Sequence, residues 1–127
     1  MAENINNVFV IDASFVLAYL LDEDNTTIDS IFEKQVKGEI YFISPSLLKY
    51  EVGNTLRTKL MRKKIKKEEA QRLYRSFLAI NIKEELLDFH DVLDLALEKN
   101  LSFYDASYLY LAKSKEIKLL TLDHSLK

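Results

Sequence analysis

Four short strand-like stretches constrain this chain more than any other feature: the apolar runs Val8 to Ile11 and Ile40 to Ile43, and the stretches Ile80 to Ile82 and Ile117 to Thr121. Each is too short for a helix, and β-branched residues dominate the first, as in a buried strand. Between the runs, apolar residues recur at helical spacing. One helix is expected from about Ser14 to Leu21. A second is capped by Asn25, carries Ile28, Ile31, Phe32 and Val36 on its apolar face and ends at Gly38. Ser44 and Pro45 read as the N-cap and first residue of a third helix reaching about Met61, with Leu48, Val52, Leu56 and Leu60 on one side. A fourth, over 67–79, aligns Ala70, Leu73 and Phe77. Two more are expected near 85–99 and over 103–115. Strands that alternate with helices, and read as buried runs and not as half-exposed alternations, indicate a parallel sheet covered on both faces. The class is α/β, a three-layer α/β/α sandwich.

Only two glycines and one proline occur in 127 residues, so no linker is visible and one domain over residues 1–127 is expected. The absence of cysteine excludes disulfides, thiolate metal sites and cysteine nucleophiles, and fits a reducing, cytoplasmic setting. The polar start MAENINN has no basic n-region, so no signal peptide is expected. No apolar stretch is long enough to span a membrane. A net charge of −2 does not by itself suggest nucleic acid, although totals hide local concentrations.

In open parallel sheets, ligands bind beyond the carboxyl ends of the strands. That rule selects four of the acidic residues. Asp12 ends the first strand. Glu51 lies two turns into the helix after the second. Asp105 is in the first turn of the helix 103–115, and Asp123 follows the last strand. Converged, they form a carboxylate pocket with no cation nearby in the sequence. Like charges this close raise one another's pKa, and a hard divalent cation with a preference for oxygen relieves the repulsion. Mg²⁺ or Mn²⁺ suits this set better than zinc, given two histidines and no cysteine. Ser14 and Thr121 flank the pocket and are placed to hold a water on the metal. Asn54, one turn beyond Glu51, is placed to orient a carboxylate or a water. Each residue also has a plainer structural reading. Asp12 can cap the following helix, Ser102 and Asp105 form a capping box, Asp123 suits a turn, and Glu51 can be a solvated helix residue. The acids Asp22, Glu23 and Asp24, and Asp88, Asp91 and Asp94, read as a loop run and a solvated ridge.

The segment RTKLMRKKIKK concentrates Arg57, Lys59, Arg62, Lys63, Lys64, Lys66 and Lys67 in an otherwise slightly acidic chain. Such a tract binds phosphates by charge and counterion release, with little sequence readout. Cations also suit the C-terminal end of a helix for purely structural reasons. Phe103 and Tyr104, beside Asp105, are the aromatic pair best placed to meet a base.

The stretches VIDASFVLAYLLDE, LLKYEVGNTL and LSFYDASYLYLAKSKEIKLLTLD resemble the successive motifs of PIN-domain ribonucleases, above all the VapC-like toxins of toxin–antitoxin pairs. The resemblance covers residues 8–123, with all four acids in place. It implies an α/β/α PIN fold and an Mg²⁺- or Mn²⁺-dependent endoribonuclease whose metal ligands are Asp12, Glu51, Asp105 and Asp123. Its products would carry a 5′-phosphate and a 3′-hydroxyl. It also implies a homodimer and inhibition by a small antitoxin. Family members usually continue past the fourth acid to a final edge strand, whereas this sequence stops at Lys127, so that strand is expected to be missing. Two other readings compete. A different phosphohydrolase of the haloacid-dehalogenase type would need a second Asp where Ala13 and Ser14 follow Asp12, and a P-loop would need glycines. A non-catalytic nucleic-acid- or protein-binding module would use the acids only as caps.

Overall fold

The computed structural model describes residues 7–21 and 25–127. The polar start of the chain and the acidic run Asp22, Glu23 and Asp24 lie outside the described residues. Four strands form one parallel sheet: β1 (Val8–Ile11), β2 (Tyr41–Ser44), β3 (Ile82–Glu84) and β4 (Lys118–Leu120), in the order β3-β2-β1-β4. Six helices join them: α1 (Ala13–Leu20), α2 (Thr26–Val36), α3 (Leu47–Met61), α4 (Lys67–Leu78), α5 (Phe89–Lys99) and α6 (Phe103–Lys115). After β4 the chain makes a short 3₁₀ turn, His124–Leu126.

The strand order fixes the layers. The chain steps outward from β1 to β2 to β3, then returns to place β4 on the far side of β1. Right-handed crossovers send the helices of the outward path to one face and those of the return to the other. Accordingly α1 to α4 pack on one another, while α6 lies on β1 and β4 and α5 lies on α6. Phe32 of α2 meets Phe42 of β2 edge-on at 5.1 Å and stacks on Tyr19 at 3.9 Å. The reversal also creates a switch point between β1 and β4, where ligands bind in open sheets of this kind.

Three boundaries differ from the sequence expectation. Ser44 is not a helix cap. It is the buried last residue of β2, in register with Glu84, and its carbonyl accepts a bond from the Glu85 amide at 2.9 Å. Pro45 opens a turn, and α3 starts at Leu47. The third strand lies at 82–84, two residues late, because Ala79 and Ile80 still close α4 through amides that donate to Arg75 and Phe77 carbonyls. α5 starts at Phe89, and Asp88 is its cap, its carboxylate accepting the Asp91 amide at 3.1 Å. β3 and β4 are edge strands and partly exposed, so the unbroken burial expected of every strand holds mainly for the inner ends of β1 and β2. Val36, expected on the apolar face of α2, is exposed. The expected caps at Asn25 and Ser102 are present, as is the left-handed Gly38.

Gly53 sits inside α3, where glycine costs roughly 1 kcal/mol against alanine. The packing of α4 explains it. A methyl group there would meet the Tyr74 ring at 3.3 Å, and that ring is held by its hydroxyl, which donates to the Lys49 carbonyl at 2.8 Å.

Candidate active site

The carboxyl edge of the sheet assembles from local rules. Asp12 follows β1 and caps α1: its Oδ1 accepts the Phe15 amide at 3.1 Å and the Ser14 hydroxyl at 2.7 Å. A carboxylate only 4% exposed needs such donors, because an unpaired buried charge is costly. Ser14 is a hub. Its proton goes to Asp12, so its lone pairs receive the Leu122 amide at 2.9 Å and face the Thr121 hydroxyl at 3.4 Å. Thr121 Oγ1 in turn accepts the Asp123 amide at 2.9 Å. The two sides of the switch point are thereby tied, and Asp12 and Asp123 are held at a fixed separation. The positions expected to hold water, Ser14 and Thr121, are engaged in this clasp. Asp123 Oδ1 accepts both the amide and the hydroxyl of Ser125, and these bonds hold its carboxyl below the usual range.

Glu51 and Asp105 arrive on helices. A helix that returns across a parallel sheet starts at the carboxyl edge or ends there. α3 starts there, and α6 has its N-terminus there because its other end feeds β4. Glu51 Oε1 accepts the hydroxyl of Tyr108, a buried α6 residue, at 2.5 Å. Burial pushes the Glu51 carboxyl up, the Tyr108 bond opposes this, and the charges of Asp105 and Asp12 add to the rise. Asp105 is also raised, first by burial, then by the charge of Asp123, with the Ser102 hydroxyl opposing and Asp12 adding. Each of the four acids is thus within electrostatic reach of at least one other. Among the described residues, none forms an ion pair; the acids that do are Glu33, Glu84, Glu85 and Asp94. Asp12, Glu51 and Asp123 each commit one carboxylate oxygen to protein donors, and among the described residues the second oxygen of each has no hydrogen-bond partner.

The remaining sequence candidates fall elsewhere. Asn54 is exposed on α3 and makes no side-chain hydrogen bond among the described residues. Arg57, Lys59, Arg62, Lys63 and Lys64 follow Glu51 along α3 and into the turn after it, with Lys63 in the left-handed conformation at φ 59°. At about 1.5 Å per residue, Arg57 and Lys59 lie roughly 9–12 Å from Glu51 along the helix axis, and the other three lie beyond the helix end. Phe103 and Tyr104 are both exposed, and Phe103 stacks on Phe89 with centroids 6.2 Å apart. Tyr108 was not singled out by the sequence; at one turn after Asp105 it reads as an ordinary core aromatic. A hollow of about 700 Å³ lies around Val8, Tyr41, Ile43, Lys83, Glu85 and Lys115, and none of the four acids lines it.

Fold and site together define an α/β sandwich with an acidic cluster at the switch point of its sheet. The chain belongs to the PIN-domain family, whose model matches residues 9–127. It is 31% identical over 121 residues to ribonuclease VapC3 of Pyrobaculum aerophilum, covering 92% of this chain and 90% of that protein. It is 32% identical over 95 residues to exonuclease VapC9 of the same organism, covering 75% of this chain and 71% of that one. The crystal structure of PAE2754 from Pyrobaculum aerophilum superimposes with a TM-score of 0.74 at 28% identity, over 93% of this chain and 82% of that chain. Mycobacterium tuberculosis VapC20, a sarcin-ricin loop cleaving toxin, shares the fold with a TM-score of 0.60 at 14% identity, over 93% and 92% of the two chains.

Proposed function

We propose that this protein is a divalent-metal-dependent endoribonuclease and the toxin of a toxin–antitoxin pair, with Asp12, Glu51, Asp105 and Asp123 as its metal-binding and catalytic residues. The observation that carries this reading is the donor set: four carboxylates at the sheet's switch point, with Asp12, Glu51 and Asp123 oriented by neutral O–H and N–H donors and, among the described residues, no Lys or Arg paired to any of the four. All-oxygen donors suit Mg²⁺ or Mn²⁺. A cation bound there would make water a better nucleophile and offset the charge that builds on a phosphodiester.

The chain's own residues supply the rest. Asp12 and Asp123, fixed by the Ser14–Thr121 clasp, present one free oxygen each to the cleft. Glu51 and Asp105, brought in on α3 and α6, would complete the ligand set from the helices. The cations Arg57 and Lys59 on α3, and Arg62, Lys63 and Lys64 in the turn after it, lie far enough from Glu51 to hold neighbouring phosphates rather than the scissile one. Tyr104 offers a stacking face beside Asp105. An exposed apolar stripe, Leu86, Phe89, Leu93 and Leu97, supports the homodimer, since monomeric proteins seldom leave such patches bare. The name of the ribonuclease relative supports RNA as substrate, and a small cognate antitoxin is the partner that the resemblance to VapC-like toxins implies. The single-domain organisation over residues 1–127 and a cytoplasmic setting belong to the same proposal; no helix of the described residues is long and apolar enough to cross a membrane.

The two Pyrobaculum relatives carry the names ribonuclease and exonuclease, so the test must separate internal from terminal cutting. Purified protein is incubated with linear and with circularised structured RNA, in Mn²⁺, in EDTA, and with Asp12→Asn alongside. Cleavage of the circle by the parent protein in Mn²⁺ alone is expected. Cutting of linear RNA only would replace the endonuclease with an exonuclease. No cleavage and no Mn²⁺ binding by calorimetry would favour a binding module on the same fold.

A further inference from the structure

We infer that Tyr108 is a positioning residue: its hydroxyl fixes Glu51 across the gap between α6 and α3 and so sets where the cation is held. The inference rests on the metal-site reading above and extends it to a residue outside the carboxylate set. Three observations carry it. The ring is buried at 2% exposure among the core residues, which leaves the hydroxyl little freedom to turn away. The hydroxyl donates to Glu51 Oε1 over a sequence separation of 57 residues, so this bond joins two helices that approach from opposite layers. Tyr108 also lies one turn after Asp105 on α6. One helix therefore contributes one carboxylate directly and aims a second through a phenol, and any shift of α6 moves both together.

The chemistry of the donor matters. A lysine or arginine in this place would orient Glu51 equally well but would neutralise it and compete with the cation. A phenol donates one hydrogen bond and adds no charge. An ordinary phenol is un-ionised at neutral pH and so remains a donor there. This neutral partner leaves the Glu51 charge uncompensated and one oxygen without a partner among the described residues. Partners of this kind, one step removed from a metal, typically change metal affinity or activity 10–100-fold when removed, by loosening ligand geometry.

The test is a mutant cycle of Tyr108→Phe and Glu51→Gln, read by Mn²⁺ calorimetry on the full chain, with thermal midpoints measured without metal. Tyr108→Phe keeps the ring and removes only the donor. It is expected to retain a near-parental midpoint, to bind Mn²⁺ about tenfold more weakly, and to lower kcat on RNA with little change in KM. In the Glu51→Gln background it should add nothing further. A parental Mn²⁺ affinity in Tyr108→Phe, or losses that simply add in the double variant, overturns the inference while leaving the metal site standing. A parent protein that binds no Mn²⁺ overturns the metal site as well. Should Tyr108→Phe fail to fold, 3-fluorotyrosine at position 108 reports on the intact site. Its fluorine resonance should shift on adding Mg²⁺, and an unmoved resonance in a chain that binds Mg²⁺ overturns the role.

Discussion

Two acidic groups in this molecule look alike in composition and differ in almost everything else. On α5, His90, Asp91 and Asp94 bring potential ligand atoms within 4.8 Å of one another, the one such grouping of three among the described residues. At the sheet edge, Asp12, Glu51, Asp105 and Asp123 are less tightly gathered. Distance alone would favour α5. Yet all three α5 residues are exposed, and His90 Nδ1 already faces Asp94 at 3.6 Å, an ordinary i,i+4 pair. Solvent screens such a group and hydrates it freely. The edge acids are wholly or partly withdrawn from water, three of them are held by neutral donors, and among the described residues none is paired with a Lys or Arg. Unrelieved charge in a partly dry place, more than closeness, marks where a cation has something to gain.

The largest predicted contrast is in catalysis. Asp12→Asn or Asp105→Asn should reduce RNA cleavage by more than about 100-fold, since even removal of a ligand's supporting partner reaches that range. Asp94→Asn should leave the rate within about twofold of the parent. Initial rates on one RNA at saturating Mn²⁺ check this, and a large loss in Asp94→Asn would reverse the comparison.

A second contrast appears in stability against pH without metal. Glu51 and Asp105 have raised carboxyl pKa values, so the folded chain binds their protons more tightly than the unfolded chain. Ionising them destabilises the fold, and that cost is relieved as pH falls toward their raised values and is absent below the ordinary carboxylate range. Asp123 works the other way: its lowered pKa adds stability above the ordinary range that is lost as pH falls through the lowered value. The double variant Glu51→Gln, Asp105→Asn should therefore melt higher than the parent at pH 7, with the gap closing toward pH 4. Saturating Mn²⁺ should raise the parent and not the variant. Thermal melts across pH with EDTA or Mn²⁺ decide it, and a gap that widens on acidification would be the wrong sign.

How far these features could be read from the sequence follows from what each depends on. Asp12 and Asp123 were legible because each directly follows an apolar run, and the rule for parallel sheets then gives the address. Ser102 was legible as a cap because capping is a contact within four residues. The start of α3 and the position of β3 were misjudged because pairing decided them: Ser44 serves β2 through Glu84 and Glu85, some forty residues away, against its local signal as a cap. Ser14 and Thr121 were recognised as flanking residues, but their mutual clasp needs β4 laid beside β1. Tyr108 was hidden because its partner lies on another helix and its spacing on α6 matches the core.

A smaller effect separates a structural hydroxyl from a chemical carboxylate on the same turn. Ser102→Ala removes the bond that caps α6, and should cost about 1 kcal/mol of stability. Urea unfolding in EDTA at pH 7 measures it. Asp105→Asn, three residues on, should not lose stability under the same conditions, because its raised carboxyl is a source of repulsion. Equal losses in the two variants would make Asp105 a cap residue and nothing more.

The smallest expected effect belongs to α5 and is informative because it is small. Asp94→Asn deletes the His90–Asp94 pair, whose side chains are 83% and 67% exposed. Exposed i,i+4 pairs contribute roughly 0.2–0.5 kcal/mol. The loss should therefore be under about 0.5 kcal/mol. Urea titrations of the variant and the parent measure the difference. A Mn²⁺ isotherm on the same variant completes the comparison: unchanged affinity would place the bound ion away from α5, whereas abolished binding would transfer the metal from the sheet edge to this helix.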